Sequence, residues 1–103
     1  MGQAGSMDKD QLTITSLGLL RAGSEFLYDR IRRQAGAGHA DEEIRATVQS
    51  AETLYRLACE AADRAREDGS GEAAAVAWLA ERAPGHGPRV YEYVLRAAFS
   101  DTR

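Results

Sequence analysis

Apolar side chains return at alternating steps of four and three through DEEIRATVQSAETLYRLACEAADRARED, residues 41–68, where Ile44, Val48, Ala51, Tyr55, Ala58, Ala62 and Ala65 fall on one stripe. That period belongs to a helix with a coiled-coil type seam, and Leu54, Leu57 and Ala61 widen it on both flanks. Asp41, Glu42 and Glu43 put negative charge at the start, where the helix dipole favours it, with Asp41 as the expected N-cap. At 1.5 Å per residue such a helix is about 42 Å long and forms the spine of the fold. Glu52 with Arg56 and Glu60 with Arg64 are i,i+4 pairs in the better orientation.

A second stripe, Leu17, Leu20, Ser24, Leu27 and Ile31, predicts a helix over 16–34 with Phe26 and Tyr28 beside it and Ser16 or Thr15 near its N-cap. Gly18 and Gly23 each weaken that helix by about 1 kcal/mol relative to alanine, which points to close packing against the alanine-rich spine. LTIT, residues 12–15, reads equally as an extended segment or as an early turn of the same helix. AGAGHA, residues 35–40, is a short connection of the kind that makes antiparallel neighbours. After the break DGSG, a third helix over 72–83 turns Val76, Leu79, Ala80 and Ala83 inward. Pro84 ends it, Gly85 and Gly87 let the chain turn, and Pro88 suits the first position of a fourth helix over 88–99. Val90, Tyr91, Val94, Leu95 and Ala98 share one face of that helix, and Glu92 with Arg96 is a third i,i+4 pair. The expected architecture is an all-α antiparallel bundle of about four helices in a single domain, residues 7–103.

Composition narrows the function classes. A chain of 103 residues, 44 % hydrophobic and 28 % charged, is ordinary for one globular domain. Its formal charge is −3, and the acids concentrate between residues 41 and 72. No basic stripe tracks a phosphate backbone, so nucleic acid is disfavoured as a partner. Lys9 is the single lysine among thirteen basic residues, and together with the abundant alanine and glycine this usage suggests a GC-rich bacterial or phage genome. One cysteine, Cys59, fits a reducing compartment, and no run is long and apolar enough for a membrane span. A cytoplasmic location follows as the expectation. MGQAGS, residues 1–6, satisfies an N-myristoylation pattern at Gly2, but with Met7 directly behind it the stretch reads better as an expression remnant.

Candidate chemistry is thin. His86 sits between two glycines in a turn where a general acid or base would be reachable, yet no fixed partner can be named. His39 and Glu43 have a one-turn spacing that can bind a metal, but a third ligand is missing and there is no HExxH or CxxC pattern. Cys59 borders the apolar stripe beside Glu60, whose charge raises a thiol pKa, so it reads as a packing residue rather than a nucleophile. GLLRAGSE, residues 18–25, copies the outer glycines of a phosphate-binding loop with Ser24 in place of the lysine. The expected catalytic, cofactor and metal sets are all empty, and no enzyme activity is expected.

Aromatic placement is more informative. Tyr91 and Tyr93 diverge by about 200° on a helix, so they cannot both face one core. Trp78 lies at the edge of its helix's inner face, and Phe99 lies near a chain end. Aromatic and arginine side chains anchor many protein interfaces, which makes Trp78, Arg89, Tyr91, Tyr93 and Phe99 the interaction candidates. The sequence therefore reads as a small helical protein–protein interaction module, an adaptor, regulator or inhibitor that binds another protein or itself as a homodimer. One alternative is a nucleic-acid-binding regulator in which the last two helices imitate a helix-turn-helix with Arg89 and Arg96 facing DNA. In size and composition, though in no motif, the chain also resembles some phage-borne inhibitors of host defence systems, including anti-CRISPR proteins. That resemblance transfers no residues.

Overall fold

The computed structural model describes residues 8–36 and 38–102; the 1–6 leader and its myristoylation pattern lie outside them. Among the described residues there are five α-helices and no strand: α1 Lys9–Arg21, α2 Leu27–Ala35, α3 Asp41–Asp68, α4 Glu72–Arg82 and α5 Pro88–Asp101. None is long and apolar enough to cross a membrane. The all-α class holds, with five helices rather than about four, because the single helix expected over 16–34 is broken in two.

The break has a local cause. Gly23 adopts φ +67°, its N–H donates to Leu20 O at 3.1 Å, and the Ser24 N–H reaches back to Leu19 O at 3.2 Å. Those two bonds are the Schellman pattern that closes a helix with a left-handed residue, which glycine adopts without strain. A Cβ built on Gly23 meets nothing within 4 Å. Gly23 is therefore a stop signal, and the expected close approach to the spine is not its role.

The start of α1 also lies earlier than expected. The Asp8 carboxylate accepts from Gln11 N–H at 2.7 Å and caps a helix that begins at Lys9. Residues 12–15 are thus helical. Thr13 and Ser16 donate their hydroxyls to the carbonyls of Lys9 and Leu12, at 3.1 and 2.8 Å, which satisfies both side chains inside the helix. Ser16 is a buried interior residue, not an N-cap. In α3 the Ile44 N–H bonds to Ala40 O at 3.1 Å, so Asp41 occupies the first turn instead of the cap, and its carboxylate bonds the Arg32 guanidinium.

By backbone proximity the chain divides into two compact units, Met1–Glu52 and Thr53–Arg103. In the first, α1 packs on α2, and Leu12, Ile31, Ala35, Ile44 and Val48 form a buried cluster with Leu19 and Leu27 packed against it. In the second, α4 packs on α5, and the inward faces expected of residues 53–68 and 88–99 are buried at Leu54, Ala58, Ala62, Ala65, Val90, Val94, Leu95 and Ala98. Gly69, at φ +69°, closes α3, with Ser70 N–H bonded to Ala65 O at 3.0 Å. Pro88 takes the first helical position of α5.

The far end of α5 is held by Arg66 of α3. Its guanidinium donates to Phe99 O at 2.6 Å, Thr102 O at 3.1 Å and Thr102 Oγ1 at 2.6 Å. A cation on the last carbonyls of a helix both satisfies orphan acceptors and opposes the dipole's negative end. Among the described residues the three i,i+4 pairs of the sequence do not close as ion pairs. Exposed pairs of that kind are worth a few tenths of a kcal/mol, too little to hold long side chains against competing contacts.

Candidate functional site

The most exposed large apolar side chain among the described residues is one the sequence placed beside a continuous helical stripe. Phe26 is 74 % exposed, and Tyr28, one residue into α2, is 44 % exposed. Both lie at the turn that Gly23 opens. Phe26 stands at the N-cap of α2 with φ 55° and ψ 44°, makes no side-chain capping bond, and its carbonyl accepts from Arg30 N–H at 3.0 Å to start the helix. For a residue with a Cβ the left-handed region costs about 1–2 kcal/mol, and a bulky aromatic gains nothing there by local hydrogen bonding. Burial does not offset this cost, because the ring is in water. A strained left-handed backbone thus carries an unburied aromatic ring. Charges of both signs flank the turn: Arg21 is exposed in the last turn of α1, Glu25 and Asp29 are exposed on either side of the ring in sequence, and Arg32 and Arg33 lie in the last turn of α2 with Arg32 engaged with Asp41.

The aromatic residues expected to form a contact surface in the C-terminal half are largely used internally. Tyr91 is 6 % exposed; its hydroxyl donates to Ala83 O at 2.7 Å and accepts from His86 N–H at 3.4 Å, and its ring meets the His86 imidazole edge-on at 5.8 Å. It fastens the α4–α5 link and offers no surface to a partner. Tyr93 is half-buried, as the divergence of the two tyrosines requires. Trp78 lies between cations, with the Arg82 guanidinium 4.1 Å and that of Arg64 5.3 Å from its ring centre. Its Nε1 is buried and finds no acceptor among the described residues. Phe99 is covered by Arg66 at 5.2 Å. Arg89 and Arg96 are exposed on α5, and Glu92 between them is exposed as well, which dilutes any basic face. With Tyr91 holding the link, α4 and α5 form a fastened hairpin.

The residues weighed for chemistry occupy separate local roles. His39 Nδ1 lies 2.8 Å from Glu43 Oε2, with the histidine side chain 8 % exposed, so the one-turn spacing makes a hydrogen-bonded pair at the start of α3. No group of three His, Cys, Asp or Glu side chains suitable for a metal occurs among the described residues. Ser24, where a phosphate loop needs lysine, lies in the α1–α2 turn. Cys59 is half-buried, and burial pushes its thiol pKa up; Tyr55 opposes that by hydrogen bonding, and the carboxylates of Asp101 and Asp63 add to it. The direction agrees with the sequence reading, but the acids responsible are Asp101 and Asp63 rather than Glu60. Tyr55 donates to Asp101 Oδ2 at 2.6 Å, which together with burial holds its phenol well above the usual range.

A thiol with a raised pKa is a slow nucleophile at neutral pH. Alkylation of Cys59 by iodoacetamide is therefore expected to run several-fold slower than that of an unstructured cysteine peptide at the same pH. Mass-spectrometric labelling time courses check this, and labelling at the peptide's rate contradicts the assignment.

No protein-family model, curated protein or solved structure matches the chain.

Proposed function

We propose that this chain is a helical interaction module, an adaptor, regulator or inhibitor, that binds a protein partner through the aromatic turn at Phe26 and Tyr28 and carries out no reaction of its own. One observation supports this reading above the others: a strained, left-handed phenylalanine left in water at the junction of α1 and α2. Aromatic side chains with two rotatable bonds give large contact area at small entropic cost, and the exposed charged side chains beside the turn, Arg21, Glu25 and Asp29, supply a polar rim. The original candidates contribute less. Trp78 and Phe99 are covered by arginines and Tyr91 is buried, which leaves Arg89 and Tyr93 as accessory positions at most.

Capture from lysate of candidate bacterial hosts tests the reading, with and without nuclease and with wild type compared against Phe26→Ser/Tyr28→Ser. Stoichiometric protein partners retained by wild type and lost by the double variant are the expected result, with far-UV circular dichroism unchanged. Equal capture by both proteins, or recovery of salt-sensitive nucleic acid as the only partner, contradicts it.

A further inference from the structure

One helical register runs straight through the turn that separates α1 from α2. Thr13, Leu17, Leu20, Ser24, Leu27, Ile31 and Ala35 follow one another at steps of three and four, although residues 22–26 are not helical. Two helices joined by a turn have no need of a shared register, whereas one continuous helix buries a single face only if the register is kept. The backbone is also close to that alternative. Ala22 already has φ −76° and ψ −8°, and within the turn positive φ occurs at Gly23 and Phe26 alone. Straightening residues 23–26 joins α1 to α2 as one helix over 9–35, about 40 Å long at 1.5 Å per residue.

The closed hairpin holds strain that the straight helix lacks. Phe26 sits at φ 55° without a capping bond to compensate, and straightening returns its backbone to the region that residues with a Cβ prefer. What opposes straightening in a single copy is the core. Leu12 of α1 clusters with Ile31 and Ala35 of α2 and with Ile44 and Val48 of α3, and straightening pulls it away from them. A second copy restores the cluster, because an opened chain offers the same four residues lacking the same leucine. Short hinges under strain, between elements that pack on each other, favour such an exchange.

We propose that residues 22–26 are a hinge through which two copies of this chain exchange α1, each α1 docking on α2 and α3 of the other copy. The contacts of Leu12 with its cluster are then remade between copies, and the left-handed strain at Phe26 is released twice. Straightening also takes the aromatic turn apart, since positions 26 and 28 of one helix point about 200° apart. The contact surface therefore belongs to the closed monomer, a consequence that rests on the proposed function; the hinge itself does not.

Refolding from urea at micromolar and at millimolar concentration, followed by sedimentation velocity, provides the test. Wild type is expected to yield a slowly interconverting dimer at the higher concentration. Gly23→Ala disfavours the left-handed closure and favours the helix, while its Cβ meets nothing within 4 Å, and it is expected to raise the association constant at least tenfold. Spin labels at the exposed positions 11 and 33 separate exchange from side-by-side association; they are introduced as Gln11→Cys and Arg33→Cys in a Cys59→Ser background and diluted with unlabelled protein. Exchange is expected to place them about 33 Å apart along one helix, whereas the closed hairpin keeps them much nearer. Phe26→Ala keeps a Cβ in the left-handed region and lacks the ring. It is expected to associate at least as strongly as wild type and serves if Gly23→Ala fails to fold. Wild type that refolds only to monomer overturns the proposal, as does a dimer with hairpin label distances, a folded Gly23→Ala that associates no more strongly than wild type, or loss of association in Phe26→Ala. An exchanged dimer that captures protein partners as well as the monomer does supports the hinge and removes the Phe26 turn from the contact surface.

Discussion

Ile31→Ala is expected to lower the unfolding free energy by about 3 kcal/mol, within the range for emptying a buried aliphatic site. Ile31 is fully buried and clusters with Leu12 of α1, Ala35 of α2 and Ile44 and Val48 of α3. Three helices meet at this side chain, and two of its neighbours, Ala35 and Val48, are too small to collapse into the space. A small protein has about 5–15 kcal/mol in total, so the loss is a large fraction of what holds the fold together. Urea denaturation followed by far-UV circular dichroism measures it, with Arg30→Ala as an exposed neighbour expected to change stability by no more than about 0.5 kcal/mol. A cost below about 1 kcal/mol for Ile31→Ala would mean that α1 and α2 do not share this core.

The second large effect is Tyr91→Phe, expected to cost about 2 kcal/mol although it removes a single oxygen. The hydroxyl donates to Ala83 O at 2.7 Å and accepts from His86 N–H at 3.4 Å, bridging both ends of the proline- and glycine-rich link. Without it the Ala83 carbonyl, at the C-cap of α4, loses a partner in a partly buried place, and the desolvation penalty exceeds the worth of an average hydrogen bond. Hydrogen exchange at the His86 amide is expected to accelerate. Unchanged stability and unchanged exchange at His86 would show that the link is held by its backbone alone.

The parts of the fold that were legible in the sequence were those governed by one physical rule at a time. The stripe of residues 41–68 became α3 with the same bounds, because a repeated four-three spacing of apolar residues leaves a helix only one face to bury. Pro84, Gly85 and Pro88 marked the α4–α5 junction because their backbone restrictions act without help from distant residues. The stripe of residues 17–31 misled, since Leu17, Leu20, Leu27 and Ile31 keep helical register across a turn that breaks the helix. The signals present were Gly23 and the polar Ser24 at an expected core position. Threonine and serine near residue 15 looked like a helix start, and only the bonds to Lys9 O and Leu12 O show how those hydroxyls are satisfied inside α1.

The candidate site was less legible. Sequence favoured Trp78, Tyr91 and Phe99 for interaction, but whether an aromatic is exposed depends on partners far along the chain, such as Arg64 and Arg66, which cover two of them. Phe26 is illegible for the converse reason: its exposure and its left-handed backbone belong to the turn behind the Schellman closure, which residue spacing does not encode.

Phe26→Gly tests the account's central claim most directly, through unfolding free energy and partner capture measured on the same preparation. Removing the Cβ relieves about 1–2 kcal/mol of left-handed strain against about 0.5–1 kcal/mol for the added freedom of glycine in the unfolded chain. The expected result is a variant more stable than wild type by about 0.5–1 kcal/mol that no longer holds its partner. A variant less stable by 1 kcal/mol or more would make Phe26 a structural residue, and undiminished capture would remove the aromatic turn from the function.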